Sequence, residues 1–178
     1  MDMKKNILAI ASVRSATWMR VLVGSLILAA SGQIRVPLWP VPMTLQTAAV
    51  VYLVYRFGYR IANMAIGLWL LEGACGAPVF AGWTGGLPVL FGSTGGYFIG
   101  FLVEAWLASK WYRADVKGVF ALALRGICCD AGCVLCGYLW LAQMIGYKAA
   151  FISGVAPFPI SVLVRHVCLA WYLKHRRL

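Results

Sequence analysis

Two stretches that cannot be helical interrupt an otherwise almost continuous apolar sequence. Between Ala77 and Tyr97 the chain reads APVFAGWTGGLPVLFGSTGGY, with six glycines, two prolines and no charge. Between Pro37 and Gln46 it reads PLWPVPMTLQ, and three prolines exclude a helix interior because each lacks an N–H and clashes with the preceding turn. A membrane core tolerates such backbone only where protein or a water-filled cavity supplies the missing hydrogen bonds. Two irregular stretches in one small chain therefore predict a binding cavity, with the remaining helices built around it.

That the surroundings are a membrane follows from composition. Of 178 residues, 62% are hydrophobic and 12% charged, far from the roughly half-apolar, quarter-charged average of soluble domains. The expected class is an all-α integral membrane protein. At about 20 apolar residues per span, the length suits six helices with short loops. They form a single domain, residues 1–178, without a soluble module. Asp2 to Asn6 is polar, but no short apolar region with a small-residue cleavage site follows, so no cleavable targeting signal is expected.

The apolar runs place the spans at about residues 15–34, 44–55, 61–75, 95–109, 119–144 and 157–173. The basic segment Met1 to Arg14 leads in along the membrane surface. Spans two and three are short and broken by Gly and Pro, which in membrane transporters points to a binding site. The net charge of +11 is distributed in small groups at the ends of apolar runs, as topology rather than nucleic-acid binding requires. Lys4, Lys5 and Arg14, then Arg56 and Arg60, then Lys110, Arg113 and Lys117, then Lys174, Arg176 and Arg177 make eleven basic residues in alternate regions; the other loops hold only Arg35 and Lys148. By the positive-inside rule both termini are cytoplasmic in a six-transmembrane-helix bundle, and both irregular stretches lie on the outer side of a cell membrane.

Six charges remain within or near spans: Arg20, Glu72, Glu104, Arg125, Asp130 and Arg165. Each must face a cavity, a partner or a helix end. Arg20 and Arg125 lie close enough to cytoplasmic ends to snorkel, and Glu104 is expected to pair with one of them. Arg165 has two readings, a contact with a ligand carboxylate, which its guanidinium fork suits, or an ion pair with Glu72 or Asp130. Glu72 reads as a structural partner of Arg165 or a ligand contact, and Asp130, deeper in its span, as structurally paired with a cation.

Catalytic and nucleotide-binding signatures are missing. GSTGG at Gly92 to Gly96 lacks the lysine of a phosphate-binding loop, and no HExxH or GxSxG occurs. The chain is not expected to be an enzyme, to hydrolyse a nucleotide or to hold a metal or other cofactor. His166 reads as a packed or interfacial histidine, and Cys133 with Cys136 as packing thiols inside a helix, since zinc or redox chemistry needs more polar surroundings. Ser25 and Ala29 form a small-xxx-small pair on the first span, the spacing for close helix approach to a neighbour, internal or in another subunit.

PLWPVPMTLQ, followed by an apolar helix and then by GAPVFAGWTGG and GSTGGYFIGF, resembles the BioY family, the biotin-binding S components of energy-coupling-factor (ECF) vitamin transporters. Weaker similarity continues through GYLWLA to PFP at Pro157 to Pro159. The resemblance implies a six-helix protein that captures biotin from outside and partners with a transmembrane coupling subunit and two ATPase subunits. It also implies that Ser25 and Ala29 touch the coupling subunit. One segment departs from the pattern. Where the family typically carries an aspartate and, three residues on, a lysine, this chain has Ser161 and Val164, with Arg165 one position further. Either the helix start shifts so that Ser161 and Arg165, at i, i+4, present one face to the ligand, or the ligand carboxylate meets another cation, Arg35.

For biotin, a suitable pocket is mostly apolar and aromatic with a few placed polar groups. Trp39, Trp83 and Tyr97 are candidates for its walls, or for interfacial anchors. Thr44, Gln46, Thr84, Thr94 and Ser161 are candidates for hydrogen bonds, with helix capping the other role of Thr44 and Thr94. Gly82, Gly85 and Gly86 allow backbone amides to approach the ligand. Arg165 first and Arg35 second are the cations for the carboxylate. A different small carboxylate-bearing nutrient is the alternative ligand, and a structural or chaperone-like membrane protein the alternative class.

Overall fold

A computed structural model describes residues 2–111 and 118–175, with side chains from residue 15 onward. Of the basic residues used for topology, Arg113, Lys117, Arg176 and Arg177, and the side chains of Lys4, Lys5 and Arg14, lie outside what is described.

Six long helices dominate: α1 (Asp2–Gln33), α2 (Gln46–Phe57), α3 (Tyr59–Ala74), α5 (Gly95–Trp111), α6 (Val119–Ile145) and α8 (Phe158–His175). The basic lead-in is continuous with α1 rather than a separate element. Between them lie two short helices, α4 (Leu87–Leu90) and α7 (Tyr147–Gly154), and a two-stranded hairpin of β1 (Arg35–Val36) and β2 (Met43–Thr44). Neither short helix nor the hairpin is expected from the apolar runs, because each is too brief to impose a period on its sequence.

Three segments are long and apolar enough to cross a membrane by length and composition: Ser15–Gln33, Val119–Ile145 and Tyr147–His175, the last running through α7 and α8. α2, α3 and α5 have 12, 16 and 17 residues, below the ~20 that a full span needs. The surface of the bundle is nonetheless apolar, with Trp18, Leu26, Leu71, Trp106, Phe120, Leu163 and Trp171 all exposed. Its interior holds Glu104, Asp130, Arg165 and His166. Apolar outside and charged inside inverts the arrangement of a soluble domain, and it is what a lipid solvent selects.

α1 packs on α3, α2 lies against α3 and α5, and α6 contacts α5, α7 and α8. The α5–α6 interface is the most extensive. Trp69 of α3 is fully buried at the centre, edge-on to Phe80 and Phe98 at 5.1 and 5.6 Å between ring centroids and 5.8 Å from Phe101. Its indole nitrogen donates to the Val79 carbonyl at 3.0 Å.

The prolines act as expected. α1 ends before Pro37, and the chain reverses through the hairpin, with Arg35 opposite Thr44 and Val36 opposite Met43. Both irregular stretches meet at one end of the bundle. The Ser93 hydroxyl donates to the Pro40 carbonyl at 2.9 Å, and the Gln33 amide donates to the Phe80 carbonyl at 3.0 Å.

Candidate functional site

Where the two stretches meet they enclose a cavity of about 390 Å³, within the ~300–1,000 Å³ range of small-molecule sites. The hairpin contributes Arg35, Val41, Pro42 and Thr44, and α2 contributes Gln46. The glycine-rich stretch adds Phe80, Ala81, Thr84, Pro88, Val89 and the 92–94 turn, and α5 closes the cavity with Tyr97, Phe98 and Phe101. The rings of Phe80, Phe98 and Phe101 are held by Trp69 behind them, so the apolar part of the wall is rigid.

The polar groups of the wall are placed by bonds within the protein. Gln46 donates from its amide to the Leu28 carbonyl at 3.2 Å and accepts from the Thr44 hydroxyl at 3.1 Å. Gly32 is what admits the Gln46 amide, since a Cβ there would stand 2.9 Å from its nitrogen. The Thr44 oxygen also accepts from the Gln46 N–H at 3.4 Å, although the N-cap of α2 is Leu45, so Thr44 stands just before the helix and does not cap it. Thr84 and Thr94 donate to the Ala81 and Val89 carbonyls. The Tyr97 hydroxyl donates to the Gly154 carbonyl at 2.8 Å, and its ring stacks on Phe158. Arg35 is different. It is the one charged residue of the described wall, its guanidinium lies across Gly82, and no hydrogen bond or ion pair engages it among the described residues.

Arg35, Thr44, Gln46, Thr84, Thr94 and Tyr97 are thus brought together, and other candidates are not. Trp39, at 88% exposure, stands in the hairpin loop, and Trp83, at 71%, stands on a turn; both are next to the mouth in sequence but off the wall. The glycine amides are largely committed: Gly82 N–H donates to the Gln33 side chain at 3.1 Å and Gly86 N–H to the Gly73 carbonyl at 2.7 Å. Gly85 packs on the Ala77 carbonyl, where a Cβ would come within 2.3 Å. Ser161 is half-buried in the first turn of α8, off the wall.

Arg165 is also off this wall, and of its two readings the structure shows the ion pair. Its Nη2 donates to Asp130 Oδ2 at 3.0 Å, and its Nη1 donates to the Thr44 carbonyl. Asp130 Oδ2 also accepts from the Thr47 hydroxyl at 3.2 Å and faces His166 Nε2 at 3.2 Å. Glu72 does not pair with Arg165; it accepts from the Ser25 hydroxyl at 2.5 Å. Glu104 does not pair with Arg20 or Arg125. It is fully buried without a hydrogen bond among the described residues, while Arg125 reaches the Trp111 carbonyl at 2.6 Å. Ser25 is buried against α3, so its hydroxyl is not on the outer surface; Ala29 is partly exposed.

Sequence reasoning missed Gln33 and Trp69. Gln33 Oε1 accepts from the N–H groups of Gly82 and Trp83, both at 3.1 Å, fixing a turn in which Trp83 has φ 59°. A β-carbon in that region costs about 1–3 kcal/mol, so the turn exists because neighbours hold it. Gln33→Ala is expected to raise amide exchange across residues 80–84 by about tenfold, the equivalent of 1–2 kcal/mol of lost hydrogen bonding. Unchanged exchange would show that Gln33 does not set the turn. A polar amide at the end of an apolar span, 49 residues before the turn it holds, leaves no local signal.

Residues 3–177 match the BioY family. The chain belongs to the BioY family. A probable biotin transporter BioY from Pyrococcus horikoshii is 36% identical over 133 residues, covering 75% of this chain and 78% of the relative. Another probable biotin transporter BioY, from Rickettsia prowazekii, is 31% identical over 159 residues, 88% of this chain and 82% of that one. The crystal structure of the S-component for biotin from an ECF-type ABC transporter superposes with a TM-score of 0.79 at 19% identity over 93% of each chain, so the fold is the same. The family, the apolar surface and the membrane-length helices together make this a membrane protein.

Proposed function

We propose that this chain is the biotin-binding S component of an ECF importer. The observation that carries the proposal is the cavity: an aromatic, apolar chamber with fixed hydroxyls, one fixed amide and one unengaged cation at its edge. Biotin has the matching parts, a thioether ring for the phenylalanine wall, a ureido group for Thr and Gln oxygens, and a carboxylate for Arg35.

In this reading α1, α2, α3, α5, α6 and α8 are six spans in the cell membrane, and both termini and the basic α2–α3 turn are cytoplasmic. The cavity then opens outward. Energy comes from two ATPase subunits through a transmembrane coupling subunit, in keeping with a chain that carries no nucleotide motif and acts as no enzyme. The face of α1 with Leu22, Leu26 and Ala29 is offered to that subunit, since Ser25 is turned inward.

Labelled biotin titrated into purified protein should give saturable binding below micromolar. Saturable binding of another small carboxylate, with none of biotin, would instead favour a sibling S component, and binding of neither would favour a structural membrane protein.

A further inference from the structure

Directly behind the Thr44–Gln46 part of the cavity wall, side chains from α2, α6 and α8 converge on a single oxygen. Asp130 Oδ2 receives Arg165, Thr47 and His166 at 3.0, 3.2 and 3.2 Å. Arg165 uses its second terminal nitrogen on the Thr44 carbonyl. Thr44 ties several parts of the cavity wall together. Its hydroxyl bonds the Gln46 side chain, its oxygen accepts from the Gln46 N–H, and it stands opposite Arg35 in the hairpin. Arg165 is therefore one hydrogen bond away from Thr44, and through it from Gln46 and Arg35, while lying off the cavity wall itself.

From this geometry we infer that Arg165 is a positioning residue: with Asp130 it latches the Thr44–Gln46 wall at the height that ligand binding requires, without touching the ligand. The fork is what makes this possible. Two terminal nitrogens diverge to two acceptors on different elements, Asp130 on α6 and Thr44 on β2, which a single ammonium cannot reproduce with the same geometry. Asp130 supplies the counter-charge that lets the guanidinium reside in the interior at 8% exposure. The inference rests on the proposed biotin site for its ligand readout, and it also has a readout that needs no ligand.

The experiment compares wild type, Arg165→Lys and the double variant Asp130→Asn/Arg165→Met, which removes both charges together and so leaves neither buried alone. Purified in detergent, each is titrated with biotin and with biotin methyl ester, and amide exchange is followed over residues 43–47. Positioning predicts that the double variant loses both ligands by the same factor, about tenfold for one charged hydrogen bond, and that exchange over residues 43–47 rises. Arg165→Lys should fall between it and wild type. Loss of biotin alone, with the ester spared, would overturn the inference in favour of a direct carboxylate contact. Unchanged affinity and exchange would overturn it in favour of plain packing. If wild type binds no biotin, the proposed function fails, and exchange alone decides the latch: a rise supports it and no change overturns it. If the double variant is not monodisperse, Arg165→Lys carries the same comparisons.

Discussion

Replacing Arg35 by alanine is expected to weaken biotin binding by about 10- to 100-fold, corresponding to about 1.5–3 kcal/mol for a hydrogen-bonded charge, and to leave the methyl ester of biotin bound as in wild type. The reason is that Arg35 is the one described wall residue whose donors are not already engaged. Every other polar side chain there has a protein partner, and the competing cation, Arg165, is bound to Asp130 and to Thr44. Arg35→Lys should recover part of the loss, because an ammonium keeps the charge but not the planar fork. Folding should be little changed, since the side chain is largely exposed at the cavity mouth and removing it empties no interior volume. Titrations of both ligands against wild type, Arg35→Ala and Arg35→Lys check this directly. Equal loss of biotin and its ester would mean that Arg35 shapes the mouth instead of meeting the carboxylate.

Much of the architecture is legible in the sequence, for identifiable reasons. Helix existence follows from apolar run length, and the breaks follow from Pro37, Pro40, Pro42 and the glycine clusters, whose backbone chemistry is local. The meeting of the two irregular stretches is likewise anticipated by charge alternation along the chain. What cannot be read is which way a side chain faces. A helix apolar all round carries little periodic signal, so nothing in the sequence says that Ser25 turns toward Glu72 or that Arg165 turns toward Asp130. Trp39 and Trp83 illustrate the same limit in loops: an aromatic beside a pocket and one pointing away from it have the same neighbours in sequence. The glycines divide between roles for a similar reason. Gly82 and Gly86 have φ of 77° and 97°, a conformation that spacing suggests, whereas Gly85 is needed for contact with a carbonyl eight residues earlier in the chain.

The largest effect on stability is expected at the glycines of GGYFIG, Gly95 to Gly100. Gly96 and Gly100 stand four apart on the face of α5 that meets α6. A Cβ at Gly96 would lie 2.3 Å from Trp140 Cβ and 2.6 Å from the Cys136 carbonyl; one at Gly100 would lie 2.7 Å from the Cys133 carbonyl and 2.9 Å from its Cα. Those obstacles are backbone atoms and a Cβ, whose position the backbone fixes, so no rotamer change can clear them, and the helices must separate. In lipid, close approach of small residues is a main source of helix association, so separation is not offset by a hydrophobic effect between the helices. Gly96→Leu should therefore cost about 3 kcal/mol or more, at the upper end of overpacking, and should abolish ligand binding, because α5 carries Tyr97, Phe98 and Phe101 into the cavity wall. Gly67 on α3 is the control, since a Cβ there meets nothing within 4 Å. Gly67→Ala should be neutral or stabilising by up to about 1 kcal/mol through helix propensity. Thermal unfolding of the three proteins in one detergent separates the cases. A Gly96→Leu protein with the wild-type midpoint and intact biotin binding would show that α5 and α6 do not meet backbone to backbone, and the cavity built on their contact would have to be redrawn.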